Sequence, residues 1–503
     1  MKSSRKAIAA VTGLLPVLGL ALSAEAQTVM NIAGASAAKP FVEEVPVLLC
    51  NNPTGPAGAP EVVPGSQAPR VFIDKGTIAD SKFVTWVCEA TNPNLSLPGT
   101  VIIRYQSTGS SDGIDKIRNN PGTAGAQQVY VLENPAFCGA PFNQTDAAGH
   151  TRQFFPNCTQ FSPNPGQPGA EDVTLGVADV DGSSFGQVST GWSGGVIEGT
   201  INSGPRSMVG ITTTRPVVVP FEIVLGAAVK KANPVTGQVL GPVDNLTQMQ
   251  VEALLSRNVT DWRQLNGLCA DVNNDGICDN PSPVVICARR AGSGTKAALD
   301  QTLLKDASEH TGASPPNSGT FDLTLADAPK TYFGISNNDL RDCIQGNPNP
   351  TIPTNDPFPH PGARPPHPTA IGYMEAEQAA TLNPAAGYIV SVDGGRARRT
   401  EALYAGNEKE NVRCGKHQYW VFEAFNTREN NPPVGNQAAL VNAYLAQVES
   451  AQVINNLPNV GNFWVSPQEM RVTKNQDKGP VQWKSLAAQA SMLPCINTNN
   501  NLP

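Results

Sequence analysis

The chain has 503 residues, 40% hydrophobic and only 15% charged, with 46 Gly and 44 Pro, which describes a globular, loop-rich protein with core enough for two or more domains. A net charge of −7 and a pI near 5.4 exclude a nucleic-acid partner, because no basic stripe can displace counterions from phosphates. Nor is there a surface-wide field to recruit anions, so any anion site must be local.

At the N-terminus, Lys2, Arg5 and Lys6 precede an apolar run at 7–22, and Ala24-Glu25-Ala26 has the small-x-small form of a cleavage site. Residues 1–26 therefore read as a signal peptide, with the mature chain starting at Gln27. A membrane anchor is the rival reading. Against it, Pro16 interrupts the run, which falls short of the ~20 apolar residues a span needs. The predicted location is the periplasm or outside the cell. Ten Cys in an exported chain predict disulfides. Pairing of neighbours suggests 50–88, 138–158, 269–278, 287–343 and 414–495, although sequence does not determine connectivity. Zinc is the competing use, weakened by the lack of any CxxC and by a His count of five.

Three stretches share one pattern of strand, small-residue turn and helix. Val29-Met30-Asn31-Ile32 runs into Gly34-Ala35-Ser36-Ala37-Ala38-Lys39-Pro40, with a helix predicted from Pro40. Val101-Ile102-Ile103-Arg104-Tyr105 runs into Ser107-Thr108-Gly109-Ser110-Ser111-Asp112-Gly113, and Ile114 and Ile117 begin a helical face. Val284-Val285-Ile286-Cys287-Ala288 runs into Arg289-Arg290-Ala291-Gly292-Ser293-Gly294-Thr295. A helix is predicted at 296–304, with Leu299 and Leu303 on the face that packs on a sheet. Each turn leaves the first N–H groups of a helix open beside hydroxyls, which suits an oxyanion. Capped helices with no ligand are the plainer reading of any one turn.

Elsewhere, 51–68 and 119–169 read as inserted loops, and 175–181 as a buried strand whose Asp179 faces the same crevice as the helix ends. The β-rich run at 217–225 contains Pro220 and reads as a crossover between lobes, or otherwise as an edge strand. A helix is predicted at 246–255. Residues 271–279 then place Asp271, Asn273, Asp275, Ile277 and Asp279 at alternate positions with Gly276 sixth, a candidate calcium loop. Ser282 stands where an EF-hand has Glu, and a metal-free turn is the alternative. Residues 348–368 form a Pro-dense loop carrying His360 and His367, 419–422 reads as a second crossing strand, and helical periodicity returns at 438–448.

With these segments in order, the chain resembles the periplasmic phosphate-binding proteins, the substrate-binding components of bacterial phosphate ABC transporters. The resemblance rests on 34–40, on 105–111, on Asp179, on 289–295 and on Ile371-Gly372-Tyr373, and it covers about half of the mature chain. It implies an α/β, two-lobe binding-protein fold of type II with two crossing strands. One lobe would comprise 27–217 with 421–503, the other 218–420. By resemblance Ser110, Asp179, Arg289, Ser293, Gly294 and Thr295 hold phosphate or a related oxyanion, and Ala38 and Lys39 add backbone N–H groups. It also implies ion transport through a membrane permease, a monomer, no required cofactor and no catalytic residue. The chain departs from the family at Ala38 and Lys39, where a Thr and an aromatic are usual, and at Ala291, where an acid is usual.

Two other functions compete. Gly109, Ser111 and Gly113 satisfy G-x-S-x-G between strand and helix, which a serine hydrolase acting through Ser111 would need, but no motif marks a partner His. Alternatively, the insertions, calcium-like loop and disulfides suit an extracellular structural or adhesive protein with lost or altered ligand binding. If phosphate is the ligand, Asp179 should reject sulfate, which has no proton to donate. Ala291 leaves Arg289 and Arg290 with little counter-charge on this reading, so affinity is expected to rise between about pH 6 and 8 as phosphate loses its second proton.

Overall fold

A computed structural model describes residues 27–50, 68–88, 97–128, 133–145, 151–159, 171–201, 205–304, 331–346 and 367–495, apart from short breaks that include Arg290 and Ala291. The expected signal peptide, most of the loop at 51–68 and nearly all of 348–368 lie outside those residues. Each of the three units folds as strand, turn and helix. β1 (Thr28–Gly34) leads through a 3-10 turn into α1 (Lys39–Cys50), and β2 (Val101–Ser107) leads into α2 (Ser110–Arg118). β3 (Leu175–Ala178) stops one residue before Asp179. After β4 (Ile211–Gly226) come β5 (Val285–Arg289), α3 (Gly294–Thr302), α4 (Asn337–Gln345), β6 (Ala370–Glu375), β7 (Trp420–Arg428) and α5 (Gly435–Glu449).

These strands join one mixed sheet, fourteen-stranded among the described residues, in which β5, β6, β4, β7, β3, β1 and β2 lie side by side in that order. The architecture is mixed α/β. Parallel pairs, β5 with β6 and β1 with its neighbours β2 and β3, flank the antiparallel strands β4 and β7. β4 is the seam. Its first part pairs with β7 as far as Pro220, and from Phe221 onward it pairs with β6. An edge strand is therefore excluded, and the crossing read from 217–225 stands at the level of strand pairing. All residues of 217–226 are buried, which explains a run apolar on both faces apart from Glu222, whose carboxyl accepts Ala397 N–H at 2.6 Å. Pro216, with no N–H to donate, falls in the register shift between Thr214 and Val217.

α3 differs from the amphipathic helix predicted. Every residue of it is buried, including Lys296 and Asp300, which pair with each other at 2.6 Å. Gln301 Nε2 donates to Ser184 O at 2.8 Å, tying the helix to the chain just beyond β3. The aromatic core spans the seam: Phe221 stacks on Tyr419 at 5.1 Å, and Phe41 meets Trp464 at 5.4 Å.

All ten Cys are paired as neighbours, Cys50–Cys88, Cys138–Cys158, Cys269–Cys278, Cys287–Cys343 and Cys414–Cys495. The one metal-sized cluster of acidic, Cys or His ligands among the described residues joins Glu410 to the already bonded Cys414 and Cys495. No described helix is long and apolar enough to cross a membrane.

Candidate functional site

The three turns meet. Gly34 O accepts the N–H groups of Thr108 and Gly109, each at 3.0 Å, and Ala35 N–H donates to Val177 O at 2.9 Å. Gly34 has φ +136°, and a Cβ there would sit 1.9 Å from Val177 O, so only glycine lets the first turn lie against β3. From the other half of the sheet, Gly292 O accepts Ser111 N–H at 3.3 Å. A Cβ on Gly294 would fall 2.4 Å from both Ser110 Oγ and Asp179 Oδ2. The missing side chain is what allows the start of α3 to close on the start of α2.

Of the residues predicted for the site, six are brought together. Ser110 Oγ accepts Asp179 N–H at 3.4 Å, and the Ser110 and Thr295 hydroxyls lie beside the Asp179 carboxyl. Arg289 Nη1 donates to Thr295 Oγ1 at 3.1 Å, and Ser293 caps α3 by accepting Lys296 N–H at 3.4 Å. Ser110, Asp179, Arg289, Gly294 and Thr295 are buried. Burial and the facing Glu375 push Asp179 up to about 7, against the pull of Arg289 and the two hydroxyls.

Ala38 and Lys39 are placed differently. Ala38 N–H donates to Ala35 O at 3.2 Å and Lys39 N–H to Ser36 O, so the 3-10 turn uses the two groups expected to hold the anion. Burial lowers the Lys39 ammonium, and the acids that oppose this are Asp74 and Asp80.

Sequence reasoning missed four residues. Tyr373 OH accepts Arg289 N–H at 3.0 Å, Glu375 accepts Thr295 O–H at 3.0 Å, and Asn337 bridges Arg289 to Glu375. Glu423 of β7 completes the set: burial, with Asp179 and Glu375 nearby, pushes its carboxyl well above the usual range. Asn337 had a signal. Ser336 and Asp339 form a capping box, a fourth helix start after the strand at Thr331–Gly334. The expectation that Arg289 has little counter-charge is corrected here, because Asp179 attracts it and Asn337 links it to Glu375 of another strand.

In the calcium-like loop, Asp271 accepts the N–H groups of Asp275 and Gly276, Asp275 accepts Ile277 N–H, and Asp279 accepts Val272 N–H at 2.7 Å. Asn273 Oδ1 accepts Asp275 N–H at 3.1 Å. These are the bonds of a self-contained Asx turn. For the hydrolase, Ser111 Oγ abuts Gly292, while the buried His417 donates through Nε2 to Phe221 O at 2.8 Å and is pushed down to about 4 by burial. His417 is thus committed elsewhere.

No protein-family model and no curated protein matches the chain. Solved phosphate receptors are similar to it. An ABC-type phosphate transport receptor from Vibrio cholerae shares 11% identity over 88% of this chain and 100% of its own, with a TM-score of 0.38. PstS from Borrelia burgdorferi shares 10% over 87% and 98%, at 0.36. A phosphate-binding protein from Stenotrophomonas maltophilia shares 12% over 86% and 97%, at 0.33. At such identities the ligand has to be read from this chain's own residues.

Proposed function

We propose that the protein is an exported binding protein that captures an oxyanion, inorganic phosphate first, between the turns at Ser110 and Ser293. The observation that carries this reading is the convergence of two open helix starts, three hydroxyls and one guanidinium around Asp179. An oxyanion there would accept from Ser110, Ser293, Thr295, Arg289 and the first N–H groups of α2 and α3. Gly294 gives it backbone access. Asp179 accepts the proton of a protonated phosphate oxygen, and fully ionised sulfate has none to offer. Buried polar atoms without a partner among the described residues lie here too, Thr108 Oγ1 and Asp179 Oδ1 among them. Ala38 and Lys39 join the site only if their 3-10 turn opens.

In this reading 27–217 with 421–503 forms one lobe and 218–420 the other, and they open and close about β4 and β7. The chain acts as a monomer in the periplasm or outside the cell, passes the anion to the membrane permease of an ABC transporter and does no chemistry on it. Calcium at Asp271, Asn273, Asp275, Ile277 and Asp279 would be an addition that the fold does not require. Calorimetry of the protein with phosphate and with sulfate at neutral pH is the test. Saturable heat with phosphate alone is expected. Silence with both would favour the structural or adhesive role.

A further inference from the structure

Behind the turns lies a group of carboxyls that anion capture does not by itself demand. Asp179 follows β3 directly, Glu375 ends β6, Glu377 follows two residues later, and Glu423 sits inside β7; their exposures are 4%, 2%, 7% and 0%. The register puts Asp179, Glu375 and Glu423 on one face of the sheet. Ala178 pairs with Ala424, so one step further Asp179 stands opposite Glu423. On β4, Val217 is opposite Glu423 and Phe221 is opposite Glu375, and Val217 and Phe221 share one face of the pleat.

Their hydrogen bonds are few. Glu375 takes the donors of Thr295 and Asn337, and Glu377 takes Trp464 Nε1–H at 3.1 Å. Neither oxygen of Glu423 has a partner among the described residues. Arg289 from β5 is the cation that pulls on Asp179, and Lys296 and Asp300 on α3 pair with each other. Tyr105 on β2, Tyr373 on β6 and Tyr419 before β7 complete the titratable neighbours. Like charges directly opposite across a ladder repel, and an ionised carboxylate buried without donors is costly. The group therefore keeps protons. In accord with this, burial and mutual repulsion hold Asp179 at about 7 and Glu377 at about 8, and push Glu423 well above the usual range.

We propose that these carboxyls couple anion capture to proton uptake, so that phosphate is held tightly at low pH and let go as the medium turns alkaline. This rests on the phosphate-binding reading. An arriving anion adds negative charge to a crowded site, and a proton from solvent moves onto an ionised carboxyl of the group. One hydrogen phosphate and up to one proton enter together and leave together. The pH dependence expected from Ala291 alone is reversed.

The test titrates the full chain with phosphate at about pH 8 and about pH 9, where the ligand is mostly hydrogen phosphate, with the measured affinity corrected for the remaining dihydrogen form. Affinity is expected to fall by up to roughly tenfold per pH unit for each proton taken up. Calorimetry in buffers of different ionisation heat should show that proton entering with the anion. Glu377→Gln should flatten the fall while binding at about pH 6 stays within roughly threefold of the parent, and Glu423→Gln should flatten it too, whatever its effect on affinity at about pH 6. Affinity that is flat between the two higher values, or binding without proton uptake, overturns this inference and leaves phosphate binding standing. Failure to bind phosphate at any pH overturns both. Should Glu423→Gln not fold, Glu377→Gln and the proton count of the parent decide.

Discussion

In the 271–279 loop each carboxylate is met by backbone N–H groups a few residues away, whereas at Asp179 and Glu423 the carboxyls are met chiefly by one another. The loop is largely exposed and closed by the Cys269–Cys278 bond, so its geometry follows from local turn chemistry. The acid group is buried, and its members come from two strands, β6 and β7, from the residue after β3 and from the turn after β6. Satisfied carboxylates hold a structure. Unsatisfied ones, kept in place by the rest of the fold, remain able to respond to a proton or a ligand.

The largest effect should come from removing the cation that faces the acid group. Arg289→Met is expected to weaken phosphate binding by about 2–5 kcal/mol, since it leaves the anion and the carboxyls without their charged donor. Calorimetry reads it directly, and a loss of less than threefold would remove Arg289 from the site. Next is the staple of the loop. Replacing Cys269 and Cys278 together by Ser should lower stability to urea by about 2–3 kcal/mol while phosphate affinity stays unchanged. A matching fall in affinity would show that the two regions are not independent.

Smaller, and opposite in sign, is Glu423→Gln. A carboxyl raised in the folded state binds its proton more tightly there than when unfolded, so its contribution to stability is present at low pH. That contribution is lost as pH climbs from the ordinary value toward the folded one, for Glu377 at about 8. The Gln variant escapes this loss. It should be more stable than the parent at about pH 8, by roughly 1–2 kcal/mol, and no more stable at about pH 4. Thermal melts at the two values decide, and a gain of equal size at both would point to packing instead. The smallest effect concerns calcium. With its carboxylates already hydrogen-bonded, the loop should keep its shape in chelator, and the melting temperature should move by less than about 1 °C. A drop of several degrees would make calcium a structural part of the loop.

What the sequence by itself determined was local. The turns at 34–40, 107–113 and 289–295 were legible because Gly and Ser break β-branched runs; α1 and α3 start within two residues of the positions predicted, and α2 starts at Ser110, four residues before the helical face read from Ile114. The Cys pairs match the suggested neighbour order, which the fold and not the sequence settled. The run at 217–225, apolar at every position but Glu222, pointed to a strand buried on both faces, and the pairing of β4 on both sides decided against an edge.

Only the tertiary structure decided who faces whom. Glu423 and Asp179 are 244 residues apart in the chain, and nothing in either neighbourhood signals the register that sets them opposite each other. Glu375 stood two residues beyond a recognised motif, yet its role depends on Asn337 and Thr295 arriving from other elements. Lys39 looked available because a sequence does not show which carbonyl its N–H will find. The same limit hid the counter-charge of Arg289. Electrostatics acts through space, and strand order is what turns distant residues into neighbours.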